Sequence, residues 1–125
     1  MATDIEGLAE QVRSALETGD LCSYASMLAH DVRWGPADEP EWGCRNRRQV
    51  LSWYGAARDR GMRATVDEVL TGEGCILVGL TVSGTGGSQG PTRRWQVLTV
   101  RSEQIAEIVG FDDRDQAVAR AGVRA

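Results

Sequence analysis

The feature that most constrains the fold is a change of hydrophobic period near residue 62. Before it, apolar residues recur every three or four positions, as on one side of a helix. After it, apolar and polar residues alternate in runs of eight to ten, as in half-buried strands. Helices followed by a run of strands are typical of an α+β fold, with the helices packed on one side of the sheet.

The first half predicts three helices and one short strand. The predicted elements are a helix from Thr3 to Gly19, a helix capped by Asp20, a strand at 31–34 and a helix from Asn46 to Gly61. Asp and Asn accept hydrogen bonds from the free N–H groups of a first helical turn, which is why they are expected at these starts.

The second half predicts a meander of strands and a closing helix. The strands are expected at 62–71, 75–84, 92–101 and 104–111, with a glycine-rich loop at 84–91. A short helix then begins after Asp112 or Asp113 and ends at Gly122. We therefore expect one domain over residues 1–125, with three N-terminal helices on a curved, mostly antiparallel sheet.

Composition excludes several classes of protein. A net charge of −4 argues against nucleic acid as the main partner. No apolar run approaches the about 18 residues of a membrane span, and the acidic N-terminus is unlike a signal peptide, which together predict a cytoplasmic protein. Three cysteines without a C-x-x-C spacing and a single histidine predict no metal site.

A short acidic segment, RWGPADEPEWGC at 33–44, carries tryptophans near both ends. Trp34 and Trp42 could each anchor one end of a surface loop by packing. They could also be the wall and lid of a cavity, with acidic residues as its solvent rim. The sequence leaves both interpretations open.

Three segments, 16–34, 43–54 and 105–122, together resemble the nuclear transport factor 2-like superfamily, in its SnoaL-like polyketide cyclase branch. They read LETGDLCSYASMLAHDVRW, GCRNRRQVLSWY and IAEIVGFDDRDQAVARAG. The resemblance implies a cone-shaped α+β fold with a deep cavity, and a homodimer formed through the sheet. It does not imply one reaction, because this fold serves many.

Two chemistries of the superfamily do not fit the residues present. Ketosteroid isomerases need a phenol and a carboxylate base, and alignment places Val12 and Pro36 there. Epoxide hydrolases similar to limonene-epoxide hydrolase use an Arg-x-Asp pair, whereas this chain has Arg93-Arg94-Trp95-Gln96. Neither reaction is therefore expected.

The resemblance to SnoaL-like cyclases predicts one acidic residue near the end of the last strand as general acid and base. Asp112 takes this role because it shares a strand face with Ile108 and Gly110, while Asp113 is the natural helix cap. Both could instead serve only the helix start. Arg93 is the second candidate, as a partner for an oxyanion or carboxylate, and it could instead lie in water at the strand start.

Aromatic residues predict the wall of the cavity. The expected ligand contacts are Trp34, Trp42, Tyr54, Trp95, Tyr24 and Met27. For any single tryptophan, packing in the core or at a dimer interface is the more ordinary role, and it is the set that indicates a cavity wall. His30 is expected on the surface, with a base at the rim as its other role.

The sequence thus predicts a protein that binds a small apolar or polycyclic, polyketide-like molecule. In the leading hypothesis it is a cofactor-independent cyclase, isomerase or dehydratase. The alternative is a non-catalytic module of the same fold that binds a ligand or forms a dimer.

Overall fold

A computed structural model describes residues 5–36, 45–83 and 92–122. It contains four helices and five strands in these ranges. In chain order they are α1 (Ile5–Thr18), α2 (Leu21–Met27), β1 (Leu28–Pro36), α3 (Arg47–Asp59), β2 (Arg63–Gly72), β3 (Cys75–Ser83), β4 (Thr92–Arg101), β5 (Gln104–Phe111) and α4 (Arg114–Ala121). The expected order of elements is confirmed, and β1 starts three residues earlier than the sequence predicted.

The helix starts follow from local side-chain chemistry. The side chains of Asp20, Asn46 and Asp113 each accept a hydrogen bond from a backbone N–H in the first turn of the helix that follows. At the other end of α4, Gly122 adopts a left-handed conformation with φ of 68°, which glycine reaches at little cost. The cap expected at Thr3 lies outside the described residues.

The five strands form one mixed sheet in the order β1-β5-β4-β3-β2. β1 runs parallel to β5, and all other neighbours are antiparallel. The α+β class and the mostly antiparallel sheet are therefore confirmed. As the predicted order has it, β1 lies between α2 and α3, so only α1 and α2 precede the first strand. The cone shape stays a prediction.

Helices cover both faces of the sheet. On one face, which we call the cavity face, Ile76, Val78 and Leu80 pack in one core cluster with residues of α1, α2 and α3. On the other, the outer face, Leu77 and Val97 pack in a second cluster with α4. Alternation along β3 and β4 therefore buries apolar residues on both sides.

The described helices include none that is long and apolar enough to cross a membrane. The cytoplasmic location stays a prediction.

Candidate functional site

A large open cavity lies between the cavity face of the sheet and the helices α1, α2 and α3. Its volume is about 1070 Å³. Ligand cavities commonly measure about 300–1000 Å³, so this space could hold a molecule of several rings. Apolar side chains from six elements contribute to its lining, among them Leu16, Tyr24, Trp34, Ala57, Ala64 and Leu80.

An aromatic cluster forms one wall of this cavity. The rings of Trp34 and Tyr54 stack with centroids 5.3 Å apart, and Trp53 packs edge-on against Trp34 at 4.4 Å. Tyr24 meets Tyr54 edge-to-face at 5.3 Å. These contacts join α2, α3 and β1, so the three predicted contacts Trp34, Tyr54 and Tyr24 do line the cavity.

Sequence reasoning did not place Trp53 in the site. It lies on α3 and is 46% exposed, which makes it the exposed large apolar side chain among the described residues. Its neighbour Trp34 is on β1, and nothing in the local pattern links the two positions. The unusual number of tryptophans was the signal that could have suggested it.

Polar groups lie at the buried part of the cavity, where Gln96 of β4 meets Tyr54 of α3. Gln96 Nε2 donates a hydrogen bond of 3.2 Å to the Tyr54 hydroxyl. Gln96 is only 7% exposed and Tyr24 only 1%. Burial raises the pKa of Tyr24 well above 10, and the neighbouring Tyr54 raises it further. Tyr24 therefore remains a neutral phenol at physiological pH.

Gln96 was also missed at the sequence level. On β4 it shares the cavity face with Arg94 and Leu98, across from Val78 on β3 and Gly110 on β5. A glutamine that interrupts an apolar strand face is a signal for a polar contact in a core. That signal is weak, because the sequence does not show which face of β4 is enclosed.

Charged residues surround the opening of the cavity. Arg94 forms an ion pair with Asp112, and both side chains remain more than half exposed, at 54% and 81%. Arg58 of α3 donates a hydrogen bond of 3.0 Å to the backbone oxygen of Gly19. All four residues contribute to the lining. Asp112 is therefore at the rim of the cavity, and Asp113 caps α4 as predicted.

Arg93 is not part of this cavity. It does share a strand face with Trp95, as predicted, but that face is the outer one. Its guanidinium lies 5.5 Å from the Trp95 ring centroid and 3.9 Å from Asp67, and its side chain is 63% exposed. The expectation that this face lines the cavity was wrong, because Arg94 is the arginine that alternation turns toward it.

The other three predicted ligand contacts are Trp95, Met27 and Trp42, and the structure places each of them differently or does not describe it. Trp95 borders the cavity, but its indole packs with Ala117 and Ala121 of α4 on the outer face. Met27 is 4% exposed in the core and is not among the residues that line this cavity, which corrects the prediction. Trp42 lies outside the described residues. His30 is exposed, as expected.

Metal ligands do not cluster in the described parts of the chain. No group of three or more His, Cys, Asp or Glu side chains comes together there in a way that could hold a metal ion.

The fold is shared with many solved structures. A nuclear transport factor 2-like protein of unknown function from Cytophaga hutchinsonii superposes with a TM-score of 0.70 at 9% identity, over 93% of this chain and 96% of that one. The chain has the nuclear transport factor 2-like fold. The resemblance inferred from the sequence is thus confirmed at the level of the fold.

Other structures with this fold carry functional descriptions. A protein from Xanthomonas campestris described as a "putative polyketide cyclase" has a TM-score of 0.69 at 17% identity, over 93% of this chain and 95% of that one. A protein from Catenulispora acidiphila with a ketosteroid isomerase-like fold, solved in complex with trimethylamine, has a TM-score of 0.64 at 14% identity, over 98% and 96%.

No family model and no curated protein matches the sequence.

Proposed function

We propose that this protein binds a small, largely apolar molecule of two or more fused rings in the cavity between the helices and the sheet. The observation that carries this proposal is the cavity itself, about 1070 Å³ in volume and walled by stacked and edge-on aromatic rings. Flat apolar ligands bury a large area against such walls, and ring-to-ring contacts add to that gain.

The distribution of polarity supports the same ligand class. Charges are confined to the exposed opening, where Arg94 and Asp112 neutralise each other. The buried part offers neutral hydrogen-bonding groups, Gln96 and the two tyrosines. A ligand with an apolar body and few polar groups matches this arrangement. The trimethylamine complex of the Catenulispora protein also supports small-molecule binding by this fold.

The test is a titration with 2-naphthol, an uncharged two-ring probe, followed by quenching of tryptophan fluorescence. We expect saturable quenching, because Trp34 and Trp53 lie in or beside the wall. The variant Ala64→Trp should abolish saturation, since Ala64 lines the cavity from β2 and a larger side chain would fill it.

The matched control is Thr65→Trp. Thr65 is the next residue of β2, is exposed and points to the outer face opposite Thr81. The Thr65→Trp variant adds the same fluorophore outside the cavity and should leave the binding of 2-naphthol unchanged. The proposal is wrong if wild-type protein shows no saturable binding, or if both variants bind as the wild type does.

Catalysis without a cofactor is the second candidate, in the form of a cyclisation, isomerisation or dehydration. The observation that favours it is the position of Asp112, whose carboxylate borders the cavity and could move a proton to or from a ligand that projects to the rim. Arg94 takes the place that sequence reasoning gave to Arg93, as the cation beside that carboxylate.

A homodimer through the sheet is the quaternary arrangement that the resemblance supports. Helix α4 already contacts β3, β4 and β5 on the outer face, so a second copy would have to pack beside this helix. Light scattering coupled to size exclusion should give a mass of two chains. A mass of one chain across micromolar concentrations would contradict the dimer.

A further inference from the structure

Two buried polar atoms of the cavity are left without hydrogen-bond partners. Within the described residues, three buried side-chain atoms have no hydrogen-bond partner: Tyr24 Oη, Gln96 Oε1 and Trp95 Nε1. Trp95 Nε1 lies on the outer face beside Glu68, which leaves Tyr24 Oη and Gln96 Oε1 for the cavity. Leaving a buried polar group unpaired costs about 1–3 kcal/mol, and native structures do so rarely. Both atoms belong to residues that line the same cavity.

The surroundings of Gln96 explain why its carbonyl oxygen has no partner within the protein. The amide nitrogen is held by the Tyr54 hydroxyl at 3.2 Å, which directs the oxygen elsewhere. Its neighbours across β3 and β5 are Val78 and Gly110, neither of which has a polar side chain. A β-carbon at Gly110 would meet the backbone oxygen of Gly35 at 3.9 Å, an ordinary contact, so no side chain crowds Gln96 from that strand.

Tyr24 supplies the complementary group. Its ring packs edge-to-face against Tyr54 at 5.3 Å, so Tyr54 contacts both Tyr24 and Gln96. Burial and the neighbouring Tyr54 raise the pKa of Tyr24, so its phenol stays protonated and can act as a hydrogen-bond donor. The amide oxygen of Gln96 can only accept. One donor and one acceptor therefore adjoin the same tyrosine.

We infer that Gln96 and Tyr24 form a subsite for a hydroxyl group on the ligand, which donates to Gln96 Oε1 and accepts from Tyr24 Oη. This inference rests on the proposed binding function and narrows its ligand to hydroxylated ring compounds, such as phenols. A ketone or an ether can accept from Tyr24 but leaves Gln96 Oε1 unpaired. The subsite therefore selects for a group that can do both.

The test compares 2-naphthol with its methyl ether, 2-methoxynaphthalene, which has the same rings but no donor. We expect wild-type protein to bind 2-naphthol about tenfold or more tightly than the ether, the range that one unpaired buried group implies. Gln96→Met keeps the length of the side chain and removes the acceptor. Gln96→Met should therefore abolish the preference for 2-naphthol, because it should weaken the binding of 2-naphthol and leave the binding of the ether unchanged.

Two further variants keep the test decisive. Gln104→Met makes the same change at an exposed position at the start of β5 and should alter neither affinity. Tyr24→Phe removes an unpaired buried hydroxyl, so this variant should fold at least as stably as the wild type. It should bind 2-naphthol more weakly, because the donor is gone. This variant covers the case in which Gln96→Met fails to fold.

The outcomes separate the two proposals. If wild-type protein binds both compounds with equal affinity, the cavity binds rings but the hydroxyl subsite is wrong. The same conclusion follows if Gln96→Met weakens both compounds equally. If neither compound binds, the proposed function and the subsite fall together.

Discussion

At the scale of single residues, the site depends on which of two adjacent side chains faces the cavity. Asp112 borders the cavity and pairs with Arg94, while Asp113 accepts a hydrogen bond of 2.8 Å from the backbone of Asp115. The sequence identified the cap, because Asp at a helix start is a local signal. It could not show how far Asp112 is enclosed, which depends on distant elements.

The catalytic candidate is tested by Asp112→Asn. A carboxylate at the rim that moves protons should speed exchange of the acidic C1 protons of 2-tetralone, a two-ring ketone, in heavy water. The carboxylate removes a proton from carbon to give the enolate, and a deuteron from solvent replaces it. Proton magnetic resonance follows the exchange, and the variant should lose a factor of about 100 or more in rate.

The control for this measurement is Asp113→Asn, which keeps a residue type that also caps helices. It should exchange 2-tetralone at the wild-type rate. An exchange rate in wild-type protein no faster than in buffer would contradict the catalytic candidate and leave the binding function standing.

At the scale of elements, the caps and turns were predictable but the enclosed face of β4 was not. Asp20, Asn46 and Gly122 act within a few residues of their own position, so sequence alone locates them. Apolar residues occur on both faces of β4, because α4 covers the outer face as helices α1 to α3 cover the other. Alternation therefore could not indicate which arginine faces the cavity.

Helix α4 is attached to the sheet by an ion pair whose pH dependence can be measured. Arg114 donates two hydrogen bonds to Glu68 of β2, at 2.7 and 3.0 Å, and its guanidinium holds the pKa of Glu68 below the ordinary value of 4.5. A carboxyl whose pKa is lowered in the folded state stabilises that state above its unfolded pKa, and the gain is lost as pH falls through the folded pKa.

We therefore expect Glu68→Gln to lower the midpoint of thermal unfolding at pH 7. The difference from wild type should narrow as the pH falls below 4.5, where the wild-type carboxyl also loses its charge. Glu107→Gln is the matched control, since Glu107 makes a single contact of 3.3 Å with Arg120 of the same helix. Glu107→Gln should lower the midpoint of thermal unfolding at pH 7 by less than Glu68→Gln does. If the difference between Glu68→Gln and the wild type stays constant across pH, the charge of Glu68 is not what attaches α4.

At the scale of the whole molecule, the cavity is made by residues that are far apart in sequence. Gln96 reaches Tyr54 across 42 positions, and Trp34 of β1 stacks on Tyr54 of α3. The resemblance predicted that a cavity exists, and aromatic composition predicted part of its wall. The polar pair at the buried part of the cavity, Gln96 of β4 and Tyr24 of α2, could be found only from the three-dimensional positions of these two elements.

The proposed function requires this cavity to hold a ring compound. The most direct measurement is an experimental structure of the protein with 2-naphthol. We expect the two rings to lie against Trp34 and Tyr54, with the hydroxyl within hydrogen-bond distance of Gln96 Oε1 and Tyr24 Oη. A cavity closed by side chains, with 2-naphthol bound elsewhere or absent, would rule out the proposed function.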